Sequence, residues 1–274
     1  MNNENNSFSI ILPTLNESKN LEILIPQIYD AIIKSSFELE FEVIVVDDSS
    51  EDNTVELINE LSKVYKNLDI LSRVDERSLS NSIYEGILQS SNDYIIWLDA
   101  DGSMPAETVL ELMSIQIKNK DKVIIGSRFV EGGGYKGIST DSNSNLLSAI
   151  FHVSKSKDSV LGLVLSLLFN KLLIFLLPTG VKDITSGFIS VKKSYIDQKV
   201  FSEKVYGEYF IYLVTDLIKK NISIKEIGYI CETRVFGESK TAPNIFKLIK
   251  RGLPYIKASY NCRKDIYGNI RQKR

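Results

Sequence analysis

Residues 94–101 read YIIWLDAD and decide the fold, because an apolar run ends there in two aspartates separated by one residue. Similar apolar runs at 8–13 and 41–48 also end in polar residues, and segments of helical periodicity lie between the runs. Continuous apolar strands that alternate with helices are typical of a mostly parallel sheet covered on both faces. The first half therefore predicts a Rossmann-like, three-layer α/β domain.

The polar residues that follow the predicted strands indicate where a ligand would bind. The pattern predicts strands at 8–13, 41–48, 68–73, 93–99 and 122–127, and helices at about 18–35, 53–65, 78–89 and 105–118. Sheets of this kind bind ligands beyond the carboxyl ends of their strands. We therefore expect one edge of the sheet to gather Pro13, Asn16, Glu17, Asp48, Arg73, Asp99, Ala100, Asp101 and Arg128.

The residue inventory excludes several kinds of chemistry. His152 is the single histidine, which removes HExxH zinc sites, Ser-His-Asp triads and Cys-His pairs. Cys231 and Cys262 are the two cysteines, and neither has a neighbour at metal-ligand spacing. The first strand is not followed by a glycine-rich phosphate loop, so NAD enzymes and P-loop NTPases are disfavoured. The chemistry must depend on carboxylates, hydroxyls and cations, with or without a hard metal ion.

The second half of the chain has a different character. Glycines 132–134 predict a hinge, and residues 135–158 predict a polar surface loop. Residues 161–177 are the most apolar run, and their 17 positions would span about 25 Å as a helix, less than a bilayer core. Small or polar residues at 159, 162, 166 and 170 would share one face. An interfacial amphipathic helix is favoured, with a buried core helix and a spanning helix as alternatives.

The remaining segments and the charge distribution bear on location. We expect a strand near 184–191, a helix near 208–220, an alternating segment at 222–231 and one or two basic helices after 241. Residues 240–274 contain ten Lys or Arg and one acid on a chain of net charge −2, which indicates contact with an anionic surface, either membrane phosphates or nucleic acid, with a solvated helix face as the alternative. Residues 1–7 do not read as a signal peptide, so a cytoplasmic, peripheral location is expected and no nucleic-acid partner.

Asp99 and Asp101 are the residues on which a mechanism would depend. Two carboxylates at a strand end can hold one hard divalent cation, here Mg²⁺ or Mn²⁺, while Ala100 points back into the sheet. Such an ion neutralises a diphosphate leaving group. An ordinary turn would also explain an isolated Asp-x-Asp pattern, so its position at the sheet edge carries the hypothesis.

Six motifs in this order resemble family 2 glycosyltransferases of the GT-A fold, and among them the dolichol-phosphate or polyprenyl-phosphate mannose synthases. They are IILPTLNE (10–17), VIVVDDSS (43–50), DAD (99–101), GSR (126–128) with glycines 132–134, DITSGF (183–188) and RVFGESK (234–240). The resemblance implies a catalytic domain at 1–240, which includes the 135–180 loop and apolar helix, and a basic tail at 241–274.

The resemblance also implies roles for individual residues. Pro13, Asn16, Glu17, Asp48, Arg73 and Ala100 would line the nucleotide-sugar pocket with the two metal-binding aspartates, and Arg128, Arg234 and Lys240 would bind phosphate. The resemblance also implies that Arg128 and Asp183, together with Asp99 and Asp101, are catalytic residues. A turn at Asn16, a helix cap at Asp48 and surface salt bridges at the cations are the structural alternatives.

The implied reaction moves a hexose, with GDP-mannose as the favoured donor, to a polyprenyl phosphate at the cytoplasmic membrane face. A phosphate acceptor is already anionic, so it needs no protein base. Two alternatives are a UDP-sugar enzyme with a soluble or glycan acceptor and a catalytically silent GT-A binding module. Relatives often have Gly-Leu-Gly where Ser78-Leu79-Ser80 stands and Gln where Ser103 stands, so a loop that lies less close to the donor and a poorer metal ligand at position 103 are expected.

Overall fold

The structure is a computed structural model that describes residues 6–37, 39–135, 138–139, 160–202, 206–232, 236 and 245–272. Its strands are β1 (Ser7–Thr14), β2 (Glu40–Asp47), β3 (Leu68–Ser72), β4 (Tyr94–Trp97), β5 (Lys122–Ser127), β6 (Gly134–Tyr135), β7 (Ile138–Ser139), β8 (Ile189–Lys192), β9 (Ser223–Gly228) and β10 (Ile230–Cys231). Its α-helices are α1 (Ser18–Ile33), α2 (Thr54–Leu61), α3 (Leu79–Gln89), α4 (Ala106–Lys118), α5 (Val160–Leu176), α6 (Tyr209–Lys219) and α7 (Ile245–Gln272).

The main sheet has the order β3-β2-β1-β4-β8-β5-β9, and β10-β6-β7 form a small second sheet. In the main sheet β8 is antiparallel to both of its neighbours, β4 and β5, and the other pairs are parallel. Strands β1 to β5 therefore run in one direction, and their carboxyl ends lie at one edge as the sequence predicts. The predicted α/β fold with a mostly parallel central sheet is confirmed.

Helices cover both faces of the sheet. Along β1, Ile10 packs with residues of α1 and α4, whereas the next residue, Ile11, packs with residues of α3 and α6. This alternation follows from the period of two along a strand. Because β1 is buried along its whole length, it carries apolar residues on both faces, which explains the continuous apolar run in the sequence.

Three helices of the second half form a separate apolar cluster. Leu173 at the end of α5, Ile211 of α6, and Ala258 and Cys262 of α7 are all fully buried within it. The Arg263 guanidinium of α7 donates to the carbonyl of Leu176 at 2.9 Å, which satisfies a carbonyl at the carboxyl end of α5. The described part of the predicted basic tail is therefore one helix that packs against α5 and α6, and the domain boundary at 240 stays a prediction.

Helix α5 turns its polar side chain inward. Asn170 is 4% exposed and its amide donates to the carbonyl of Lys182 at 2.8 Å. Leu168, Leu172 and Phe175 lie on the outer side and are 57%, 42% and 77% exposed. One face of the helix is thus core, as one alternative expected, and the other face presents apolar side chains outward. Among the described residues, none of the helices has both the length and the apolar character needed to cross a membrane.

Two local expectations differ from the structure. The strand expected near 184–191 is confined to β8, because residues before it form turns around Gly187, whose φ is +70°. Of the glycines expected to form a hinge, Gly133 packs tightly, because a Cβ there would lie 2.7 Å from the Ser127 carbonyl oxygen, and a Cβ at Gly228 would overlap the backbone of residues 131–133. Close backbone approach therefore explains these glycines.

Candidate active site

The loops that follow β1 and β2 are tied together by side-chain to backbone hydrogen bonds. Asn16 has a φ of +58°, its backbone N–H donates to Ser50 Oγ at 2.8 Å, and its Oδ1 accepts from the Glu51 N–H at 2.7 Å. Asn tolerates this left-handed conformation better than most residues. Asn16 therefore shapes the turn and remains exposed at the sheet edge, whereas Pro13 is buried within β1.

Asp48 and Arg73 form an ion pair at the ends of β2 and β3. The Arg73 side chain is 1% exposed and the Asp48 side chain 9%. Arg73 Nη1 pairs with Asp48 Oδ1, and Arg73 Nε donates to Glu85 Oε1 at 2.8 Å. The other Asp48 oxygen accepts from the Ser78 N–H at 2.8 Å. Asp48 therefore does not cap the helix after it, and its carboxylate contacts the amino end of α3.

Asp99 and Asp101 follow β4, as predicted, with different exposures. Asp99 is exposed, Ala100 is 3% exposed and Asp101 is 5% exposed. Asp101 Oδ1 accepts from the Ser103 N–H at 2.9 Å, so Ser103 orients this carboxylate through its backbone. Within the described ranges, groups of three or more His, Cys, Asp or Glu side chains arranged to hold a metal ion are absent. The protein thus offers two hard carboxylates here.

Arg128 and Asp183 form the second ion pair of the site. Asp183 Oδ2 accepts from the Arg128 backbone N–H at 3.0 Å and from its Nε at 2.7 Å, and Oδ1 accepts from Nη2 at 2.7 Å. Arg128 Nη2 also donates to Thr185 Oγ1 at 2.9 Å. Burial would lower the pKa of Arg128, but the charge and hydrogen bonds of Asp183 raise it well above its ordinary value. Arg128 is therefore a fixed cation that Asp183 orients.

Cys231 is a site residue that the sequence analysis did not place among the candidates. Burial raises the pKa of its thiol to about 11, with Asp101 and Asp99 adding to the rise and Arg128 opposing it. The Glu232 N–H donates to the Ser103 carbonyl at 2.9 Å, so the residue after Cys231 is bonded to the loop that carries Asp101. The neighbouring Tyr229 shares this environment, and burial raises the pKa of its phenol. Strand β10 follows β9 at the same sheet edge. This position after a parallel strand is the sequence signal that could have identified Cys231 as a site residue.

Helix α7 also reaches the site. The Tyr255 hydroxyl lies against Gly207, where a Cβ would overlap it, and its ring packs edge-on against Phe169 of α5 at 5.9 Å. Burial raises the pKa of Tyr255, and the carboxylates of Glu208 and Asp99 add to the effect. The helix predicted as a tail therefore places a phenol near Asp99, which periodicity in a basic segment could not reveal.

Glu17 and Asn20 connect the first loop to the segment after β10. The Asn20 amide donates to Glu17 Oε2 at 2.6 Å, and its Oδ1 accepts from the Phe236 N–H at 3.1 Å. The same amide also donates to the Phe236 carbonyl oxygen at 3.4 Å. Arg234 and Lys240, the other predicted phosphate ligands, lie outside the described residues.

The sequence matches the pattern of glycosyl transferase family 2 over residues 9–199, about two thirds of the chain, including β1 to β5 and both ion pairs. The chain belongs to glycosyl transferase family 2. The predicted resemblance is therefore confirmed at the level of the family.

Individual relatives match shorter stretches. A dolichol-phosphate mannosyltransferase of Pyrococcus furiosus is 39% identical over 125 residues, which are 46% of this chain and 34% of that protein. The enzyme of the same name from Saccharomyces cerevisiae is 30% identical over 127 residues, 46% of each chain. The matched stretch thus spans less than half the length of these curated relatives.

Among solved structures, a glucosyl-3-phosphoglycerate synthase from Mycobacterium tuberculosis superposes with a TM-score of 0.59. The match covers 93% of this chain and 79% of that one at 14% identity. That crystal contained Mn²⁺, uridine diphosphate and glucosyl-3-phosphoglycerate. At this identity the likeness supports the fold alone.

Proposed function

We propose that this protein transfers a hexose from a nucleoside diphosphate sugar to a polyprenyl phosphate, with GDP-mannose as the donor. The observation that carries the proposal is the Asp99 and Asp101 pair after β4, with Arg128 held by Asp183 at the same sheet edge. The names of the dolichol-phosphate mannosyltransferase relatives support the choice of donor and acceptor.

Asp99 and Asp101 would hold Mg²⁺ or Mn²⁺. Their carboxylates are the hard oxygen ligands that these ions prefer, and Mg²⁺ commonly binds through one or two carboxylates together with substrate phosphates and water. Two protein carboxylates therefore fit the ion without a third protein ligand. When bound, the ion would neutralise charge on the diphosphate leaving group.

The donor would lie across the edge formed by β1 to β5. The proposed contacts are Pro13, Asn16, Glu17, Asp48, Arg73 and Ala100 on the nucleoside side and Arg128, Arg234 and Lys240 on the phosphates. Arg128 is a fixed cation because two of its nitrogens already bind Asp183. A preorganised charge stabilises a departing diphosphate without the cost of reorienting a side chain.

An acceptor phosphate would react without a protein base. Its oxygen is anionic at neutral pH, so the new bond to the anomeric carbon forms from that oxygen while the bond to the nucleoside diphosphate breaks. The protein contributes by holding both substrates in line and by excluding water. This requirement agrees with a chain that contains one histidine.

The outer face of α5 and α7 would contact the cytoplasmic leaflet. On α5 the exposed Leu168, Leu172 and Phe175 stand beside Lys171, and on α7 Leu253 and Tyr260 are exposed. Lys250, Lys257 and Lys264 are also exposed on α7, spaced by seven residues, and Lys264 Nζ lies 4.7 Å from the Tyr260 ring centre. Apolar area combined with lysines fits an anionic lipid surface.

The reaction is tested by a donor screen. Purified protein with Mg²⁺ or Mn²⁺ is incubated with GDP-mannose, UDP-glucose or a UDP-hexosamine and with either a short-chain polyprenyl phosphate or a soluble glycan. Products are identified by mass spectrometry, and binding of GDP and UDP is measured by calorimetry. A glycosyl polyprenyl phosphate that disappears in Asp99→Ala supports the proposal. Transfer only to a soluble or glycan acceptor contradicts it, and binding of nucleotide without any transfer favours a silent module.

The membrane contact has a separate test with a matched control. Flotation with vesicles that contain anionic lipid should recover the wild-type protein and lose a Leu168→Ser, Leu172→Ser, Phe175→Ser variant. Val64 and Val74 are 73% and 91% exposed elsewhere, so Val64→Ser, Val74→Ser is the control and should float normally. Equal flotation of both variants contradicts this surface.

A further inference from the structure

We propose that Glu226 is a positioning residue for the transfer reaction, whose carboxylate fixes the backbone that carries Asp183 and, through Asp183, the direction of the Arg128 guanidinium. Glu226 lies on β9, at the edge of the main sheet, and is half-buried. This role rests on the proposed function, because it takes Arg128 as the cation that stabilises the departing diphosphate.

The carboxylate of Glu226 binds two consecutive peptide units. Residues 181–188, between α5 and β8, form turns and irregular backbone, so their N–H groups need acceptors from outside a helix or a strand ladder. Glu226 Oε2 accepts from the Lys182 N–H at 2.7 Å, and Oε1 accepts from the Asp183 N–H at 3.0 Å. Hydrogen bonds to a carboxylate are stronger than those between neutral groups. Both oxygens of Glu226 are thus used to hold the segment that carries Asp183.

Helix α5 holds the same segment from another side. Asn170 is 4% exposed, and its amide donates to the Lys182 carbonyl at 2.8 Å. The N–H and the carbonyl of Lys182 therefore have partners on two different elements, β9 and α5. This arrangement restricts the residue that follows, Asp183, which is fully buried.

Asp183 passes the position of this segment to Arg128. Its carboxylate accepts from Arg128 Nε at 2.7 Å and from Nη2 at 2.7 Å, a two-point contact that depends on the position and the plane of the carboxylate. Thr185, in the same segment, accepts from Arg128 Nη2 at 2.9 Å. A shift of the backbone at 182–183 would therefore turn the guanidinium or break one of its bonds.

The two ends of this chain of contacts lie on neighbouring strands. Strand β9 pairs with β5 in parallel, with Glu226 opposite Ile125, and Arg128 follows the end of β5. The contacts from β9 through Glu226 and Asp183 to Arg128 thus return to the strand from which Arg128 extends. Outer contacts of this kind fix the rotamer of a residue that acts on a ligand.

A second glutamate makes a similar contact away from the site and provides a matched control. Glu42 of β2 is also half-buried, and its Oε1 accepts from the Ser91 N–H at 2.7 Å. Ser91 precedes β4, so this contact lies at the amino ends of the parallel strands, opposite the edge that holds the site. Glu42→Ala therefore removes a comparable contact between a carboxylate and a loop, and it reports the effect of lost stability alone.

The test measures steady-state transfer and melting temperature for wild type, Glu226→Ala and Glu42→Ala. The substrates are GDP-mannose and a short-chain polyprenyl phosphate with Mg²⁺, at a temperature at which each variant is folded. Glu226→Ala should lower kcat by about tenfold and change the donor KM by less than twofold, because a displaced Arg128 stabilises the leaving group less well. Glu42→Ala should lower the melting temperature and leave kcat at the wild-type value.

Two further variants test the route of the effect. In an Arg128→Lys background the two-point contact with Asp183 is already lost, so adding Glu226→Ala should lower kcat by less than about twofold. Glu226→Gln keeps the size of the side chain, but its NH₂ group faces one of the two N–H groups. It should therefore also lower kcat, and it is the substitute if Glu226→Ala does not fold.

The other outcomes separate this role from the proposed function. A Glu226→Ala protein with wild-type kcat and a lower melting temperature means that the carboxylate only stabilises the fold, and it overturns the positioning role alone. A loss of about tenfold that persists in the Arg128→Lys background overturns it too, because Glu226 then acts by another route. A wild-type protein that makes no product from these substrates overturns the proposed function, and the positioning role with it.

Discussion

Two arginines stand at the same edge of the sheet, and each is held by an aspartate from another element. Arg73 binds Asp48 with a side chain 1% exposed, whereas Arg128 binds Asp183 with a side chain 13% exposed. The first lies under the β2–α2 loop, and the second lies near the carboxylates that follow β4. Similar ion pairs can thus shape a loop at one end of a site and supply charge at the other.

Asp183→Asn is expected to have the largest effect, a loss of stability. It tests whether the ion pair of Arg128 and Asp183 stabilises the fold. Asp183 is fully buried and accepts three hydrogen bonds from Arg128, so the change leaves a buried guanidinium without its counter-charge. The free energy of unfolding should fall by about 3–5 kcal/mol. Urea unfolding monitored by circular dichroism measures it. The control is Asp30→Asn, which breaks an exposed ion pair with Lys34, and a loss no greater than that of the control would contradict the prediction.

Arg128→Lys separates the two arginines by their kinetic effects. Lysine keeps the charge but loses the two-point geometry with Asp183, so stabilisation of the leaving group should suffer and kcat should fall by about 100-fold. Arg73→Lys should mainly raise the KM for the donor, because it disturbs the loop and leaves the reacting atoms in place. Steady-state kinetics with the preferred donor measures kcat and KM for both variants. If both variants change the same parameter, the two arginines do not have separate roles.

The sequence predicted the edge of the sheet well because local and global signals agreed there. The runs at 8–13, 41–48 and 94–97 are apolar on both faces, and this pattern is found in buried parallel strands. Because these strands are parallel, their carboxyl ends lie at the same edge of the sheet. The polar residues after β1 to β5 could therefore be assigned to one site without knowledge of any side-chain contact.

The sequence could not reveal the pairing of charges across the chain. Arg128 and Asp183 are 55 positions apart, and Asp48 and Arg73 are 25 apart, so periodicity has no information about either pair. The insertion of antiparallel β8 between β4 and β5 brings Asp183 to Arg128. Tyr255 and Cys231 were missed for the same reason, since each reaches the site from an element late in the chain.

Labelling of Cys231 tests whether the thiol, Asp99 and Asp101 share one site. Burial raises the pKa of this thiol to about 11, and the two carboxylates add to the rise. Asp99→Asn with Asp101→Asn removes two negative charges, so the pKa should fall and thiolate should form at lower pH. Alkylation at pH 9, followed by mass spectrometry of the Cys231 peptide, should be faster by up to about tenfold, one pKa unit.

The opposite charge provides the control for that experiment. Arg128 lowers the pKa of Cys231, so Arg128→Met should raise the pKa and slow the alkylation. Cys262 is fully buried in the cluster formed by α5, α6 and α7, and its labelling should stay slow in every variant. If all variants label Cys231 at the wild-type rate, the carboxylates and the thiol are too far apart for the site described here.

The smallest expected effect concerns the connection between the two ends of the site. Asn20 is 4% exposed and joins Glu17, beside the first loop, to Phe236, which follows β10 and is two positions from Arg234 in sequence. Asn20→Ala should lower the free energy of unfolding by about 1 kcal/mol, a usual net value for such hydrogen bonds. Asn20→Asp keeps the acceptor for the Phe236 N–H but brings a second carboxylate to Glu17, so it should not restore stability. An Asn20→Ala protein with wild-type stability and wild-type donor KM would mean that the two ends of the site are held independently.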